Sequence, residues 1–194
     1  APPPAAQSGL CRGREICMSK TRRCLLDLWI AACCVGLGLF LPWAFRWVEN
    51  GEAVLLLLQL PVLLCGMLCG PGYGLSCGML LALLPRLLPG VQVAALSTAQ
   101  LWELALYGFL AGFLTCLLAN TPGVVNVGVS LVGSMLLGRV FYGLLNAFVF
   151  VPGYTWSLWL QESFVVCLPG IVLQLAVIPL VTLALRRCGV AERP

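Results

Sequence analysis

Arg139, Tyr142 and Asn146 have the most chemistry to offer in the least accommodating surroundings. They lie in Gly138-Arg-Val-Phe-Tyr-Gly-Leu-Leu-Asn146, within an apolar run from about Val127 to Val151. An arginine at the centre of a membrane-length segment costs at least ~2.5–3.5 kcal/mol on insertion scales, so it is expected to face protein or a water-filled cavity. If the run is one helix, spacings of three and seven residues align a cation, a phenol and an amide along one face. A guanidinium fork suits a carboxylate or phosphate, while the phenol and amide supply directional hydrogen bonds. The competing reading is that Arg139 only bridges helices, bonding an acidic side chain or freed carbonyls.

The same spacing recurs in Gln100, Glu103 and Tyr107, which gives a second apolar segment one polar face near its start. Gln59 interrupts another apolar run, and Glu162 lies in the first turns of the last one. These residues, with Arg139, Tyr142 and Asn146, are the candidate substrate-binding set. Glu103 is also a possible partner for Arg139, which would neutralise it and leave the charge of any ligand open.

The elements that position these side chains follow from composition. Of 194 residues, 61% are hydrophobic and only 9% charged, too little polar surface to cover a soluble globule. The chain reads as an integral membrane protein. Its net charge of +4 is carried mainly near the ends, with no basic stripe, so nucleic acid is not an expected partner. Eleven cysteines form no Cys-x-x-Cys pair and histidine is absent, which excludes the usual zinc, haem and thioredoxin spacings. The cysteines, among them Cys33, Cys34, Cys65, Cys69, Cys77, Cys116 and Cys167, read as small apolar residues of the spans.

Residues 1–17 are Pro/Ala/Gly-rich without periodicity and are expected to be disordered or a non-native extension; residues 18–194 read as a single membrane domain. Six transmembrane helices are predicted, over about Cys24–Val48, Ala53–Cys69, Tyr73–Leu88, Ala99–Ala119, Val127–Val151 and Trp156–Leu185. Pro61 is expected to bend the second or mark its true start, and Pro169-Gly170 and Pro179 to kink the sixth. Gly70-Pro-Gly-Tyr-Gly74 is read as a tight turn making a hairpin of the second and third.

With both termini cytoplasmic, Lys20, Arg22, Arg23, Arg186, Arg187 and Arg193 fall inside and only Arg46 and Arg86 outside. Trp43, Trp47, Trp102, Trp156 and Trp159 then form an outer aromatic belt, and the polar residues of several helices converge on an outward-facing cavity. Small residues at Ala32/Gly36 and Cys34/Gly38 on the first helix, and at Gly108/Gly112 on the fourth, allow close backbone approach to another helix.

Met18-Ser-Lys-Thr-Arg-Arg, the small-residue first helix, Gln59-Leu-Pro-Val-Leu-Leu-Cys-Gly-Met-Leu-Cys-Gly-Pro-Gly-Tyr-Gly-Leu-Ser-Cys-Gly, Gly138-Arg-Val-Phe-Tyr-Gly and Leu168-Pro-Gly-Ile-Val-Leu-Gln-Leu, in that order, resemble the substrate-binding S component of energy-coupling factor (ECF) vitamin transporters. The resemblance covers about Met18 to Arg187 and implies an all-α, six-helix protein of a bacterial cell membrane that captures a vitamin or related micronutrient from outside. It implies docking through Ala31, Ala32, Val35 and Gly36 onto a coupling membrane subunit, with two ATPase subunits as further partners. The chain has no Walker motif, so ATP would be used by those partners and no cofactor is expected here. Two other classes were weighed. An intramembrane enzyme lacks support, with no His to serve as a base and no aspartate dyad. A structural or regulatory membrane subunit without a ligand is the alternative.

Overall fold

A computed structural model describes residues 24–41, 44, 51–87, 98–150, 155–161 and 168–187, and every regular element among them is helical. In chain order these are α1 (Cys24–Leu41), α2 (Gly51–Cys69), α3 (Pro71–Leu87), α4 (Thr98–Leu117), α5 (Gly123–Leu145), α6 (Trp156–Leu160) and α7 (Leu168–Arg187). Among the described residues, three helical stretches are long and apolar enough to cross a membrane by themselves: α1, α4 and Gly123–Val149. Shorter apolar stretches occupy Leu58–Cys69, Pro71–Leu84 and Gly170–Leu185. The expected N-terminal extension, the outer part of the first predicted span, and Cys167 lie outside the described residues.

The link between the second and third helices differs from expectation. The turn read over Gly70–Gly74 is narrower: Gly70 alone is non-helical, at φ 102°, a left-handed conformation that glycine adopts without Cβ strain. Pro71 then opens α3, where its missing N–H removes nothing from the helix and its ring presets φ. Gly72, Tyr73 and Gly74 are already helical. The predicted sixth helix is described as α6 and α7, with residues 162–167 outside the described set. Pro61 and Pro179 both lie inside helices, α2 and α7.

Glycines set the closest approach in the bundle. A Cβ on Gly66 or Gly74 would strike the Gly108 carbonyl, one on Gly108 would strike Gly74, and one on Gly112 would strike Gly70 and Pro71. Backbone therefore meets backbone where α2, α3 and α4 join, as small residues permit when lipid supplies no hydrophobic drive between helices. At the other end of α4, Asn126 Nδ2 donates to the carbonyls of Thr115 at 3.1 Å and Leu118 at 2.7 Å, tying the turn into α5.

Helices α2, α4, α5 and α7 touch in a closed ring, α2 to α4, α4 to α5, α5 to α7 and α7 back to α2, with α3 packed outside against α2 and α4. The ring interior holds Leu63, Met67, Tyr107, Val127, Leu131 and Ile178. A second core joins α1 to α2, α3 and α4 through Cys34, Leu58, Cys65, Cys69, Cys77, Leu81 and Leu104. Cys34, Cys65, Cys69 and Cys77 are buried free thiols there. The outer face of α5 is an apolar belt, with Val125, Val129, Val132, Leu136 and Leu144 exposed, as a lipid-facing surface requires.

The two small-residue pairs of α1 point different ways. Cys34 and Gly38 face the core, where a Cβ on Gly38 would meet Leu81 at 2.6 Å and Pro61 at 3.1 Å. Ala32 and Gly36 are exposed, Ala31 and Val35 lie partly buried beside them, and a Cβ on Gly36 would have nothing within 4 Å.

Candidate functional site

The site is built on α4 and α5. Glu103 and Tyr107 are one turn apart on α4, and the Tyr107 hydroxyl donates to Glu103 Oε1 at 2.8 Å with both residues 1% exposed. Tyr107 fits because residue 138 of α5 is glycine: a Cβ there would collide with its ring. Arg139 follows, 5% exposed and within Coulombic reach of the Glu103 carboxylate. Burying either charge alone would be strongly unfavourable, so the two side chains offset each other's desolvation.

The helix registers bring two more side chains to this level. Gly66 meets Gly108 and Gly70 meets Gly112, so α2 and α4 run in parallel, and the same register sets Gln59 level with Leu101, half a turn from Glu103. Gln174 of α7 is pinned to that level because its Nε2 donates to Gln59 Oε1 at 3.2 Å. Across the antiparallel α4/α5 contact, Tyr107 opposite Gly138 sets Glu103 level with Tyr142. Gln59, Glu103, Tyr107, Arg139 and Gln174 thus come from all four helices of the ring, within about two turns, ~9 Å, of one another along its axis.

The other predicted residues are placed as follows. Tyr142 is half-buried on α5, and Gln100 is half-buried in the first turn of α4. Asn146 is 5% exposed, and there α5 gives way to a π-helical turn over Asn146–Phe150, an irregularity common at functional positions. Its Nδ2 is buried without an acceptor, and so is Gln59 Nε2. Glu162 lies outside the described residues.

Two residues were not in the predicted set. Gln174 was legible only as a polar interruption in an apolar run, since its partner is 115 residues away. Trp159 read as a belt residue, but it is buried on α5: its Nε1 donates to the Arg139 carbonyl at 3.0 Å, and its ring covers Gly143 closely enough to exclude a Cβ. Trp156 stands beside it with ring centroids 4.5 Å apart. Together they wall an apolar cavity of roughly 200 Å³, completed by Thr155 and by Val140, Leu144 and Ala147 of α5. That stripe of α5 is distinct from the one bearing Arg139, Tyr142 and Asn146. Among the described residues no group of His, Cys, Asp or Glu side chains is arranged to hold a metal ion.

A buried polar layer among four apolar helices is suited to enclosing a small polar molecule. Comparison with known proteins gives the same direction. No curated protein and no solved structure matches the chain. The family model for the substrate-specific component of ECF transporters matches residues 26–182, most of the chain. The chain belongs to the family of ECF transporter substrate-specific components.

Proposed function

We propose that this chain is the substrate-capture subunit of an ECF-type importer, binding a small water-soluble vitamin or related micronutrient from outside and handing it inward. The observation that carries the reading is the polar layer of Gln59, Glu103, Tyr107, Arg139 and Gln174 at the centre of the ring. Charges and amides so placed in an apolar bundle are costly, and such residues by default mark a substrate pathway. In this reading the chain crosses a bacterial cell membrane six times with both termini in the cytoplasm. Ala32 and Gly36 are the open face of α1 for a coupling subunit, and two ATPases beyond it hydrolyse ATP, for which this chain needs no cofactor.

The test is a thermal-shift screen of the purified chain against water-soluble vitamins and their phosphates, repeated with Arg139→Ala. A ligand at one hundred times its dissociation constant stabilises the fold by ~2.7 kcal/mol. One compound shifting the wild type and not the variant is the expected result. No shift with any compound would leave a ligand-free structural subunit as the better reading.

A further inference from the structure

We infer that the site selects a ligand portion that is electrically neutral and rich in hydrogen-bond acceptors, such as a carbonyl-bearing or nitrogen heterocycle, over a carboxylate or phosphate. The inference rests on the substrate-capture reading above and names the substrate class of that same site.

An intramembrane arginine by itself invites an anion. Here its surroundings reverse that expectation, because Glu103 is as deeply buried as any residue of the layer, is held by Tyr107, and lies within Coulombic reach of Arg139. Tyr107 is packed on Gly138, next to Arg139, so its hydroxyl holds the carboxylate on that side, and the carboxylate cannot withdraw without giving up the hydrogen bond. An anion approaching the guanidinium therefore approaches Glu103 as well, and in a poorly screened interior the repulsion is comparable to the attraction. It would also surrender its hydration with no net positive charge to replace it.

Two of the buried donors left unfilled among the described residues are neutral amides. Gln59 Oε1 is occupied by Gln174, and Gln59 Nε2 remains a donor without an acceptor in a residue 1% exposed. Asn146 Nδ2, on the α5 stripe two turns beyond Arg139, is a second such donor in a residue 5% exposed. Buried amide donors left unsatisfied are costly, and a ligand relieves that cost by bringing acceptors. Carbonyl oxygens and ring nitrogens do so without adding charge.

Matched pairs test this on the full chain, in detergent, by titration calorimetry or thermal shift: nicotinamide against nicotinate, pantothenol against pantothenate, riboflavin against its phosphate, pyridoxine against its phosphate. The neutral member of a binding pair is expected to bind at least about tenfold more tightly, a ratio the loss of one buried polar match supplies. Glu103→Gln is expected to narrow or invert that ratio, and Gln59→Leu to weaken the neutral member about tenfold. The wild-type ratio needs no variant to fold, and a charged member binding as tightly as its neutral counterpart would overturn the inference while leaving capture standing. Silence across all four pairs would instead count against capture, and the inference would fall with it.

Discussion

Replacing Gly108 by alanine is the sharpest test of how this bundle is held together. The new methyl would be driven into the Gly74 carbonyl group and against Val62 at 2.9 Å. The main obstacle is backbone, which cannot rotate aside, so α3 must move away from α4 and loosen contacts along the glycine seam. Overpacking of this kind costs ~1–3 kcal/mol. Alanine returns ~0.8–1.0 kcal/mol of helix propensity, so the net loss is up to about 2 kcal/mol after the two effects are combined. For a chain of this size each kcal/mol moves the melting temperature by about 2–4 °C, so a fall of up to about 8 °C is expected. Gly128→Ala is the control: it sits in α5 with nothing within 4 Å of a new Cβ, so it keeps only the propensity gain and should melt at or above the wild type. Differential scanning fluorimetry in one detergent reads both. Gly108→Ala melting as high as Gly128→Ala would refute the reasoning, since the helices would then not be at backbone contact.

Three further outcomes are expected. Tyr107→Phe keeps the ring against Gly138 but strips the donor from the buried Glu103 carboxylate, a loss of about 1.5–3 kcal/mol visible in thermal unfolding. Trp159→Phe loses the bond to the Arg139 carbonyl for about 0.5–1.5 kcal/mol, and denaturant titration followed by circular dichroism measures it. On α1, Gly36→Leu should fold and melt like the wild type yet fail to co-purify with a coupling subunit, whereas Gly38→Leu, driven into Leu81 and Pro61, should melt lower.

The parts that local spacing governs were legible in the sequence. Expected and observed bounds of α2, α3 and α4 agree closely because each is an apolar run closed by breakers, and Glu103 with Tyr107 was readable as one face of α4. What needs a partner across the bundle was not. Gly72 and Gly74 look like turn residues by local propensity, yet they are helical because Gly74 backs onto Gly108. Gln174 has meaning only opposite Gln59, and Trp159 only opposite Gly143. The polar layer could be guessed residue by residue, but its closure into a ring depends on α2 meeting α7, which no periodicity encodes.

The one-residue link at Gly70 bears on how the protein is made. Helices α2 and α3, Gly51–Cys69 and Pro71–Leu87, have 19 and 17 residues, below the ~20 needed to span a bilayer alone. With a single glycine between them there is no polar loop for the translocon to leave in water while one helix enters ahead of the other. The pair is therefore committed to enter the bilayer as a closed hairpin. Lengthening that link would alter the order of insertion during synthesis before it altered any contact of the finished fold.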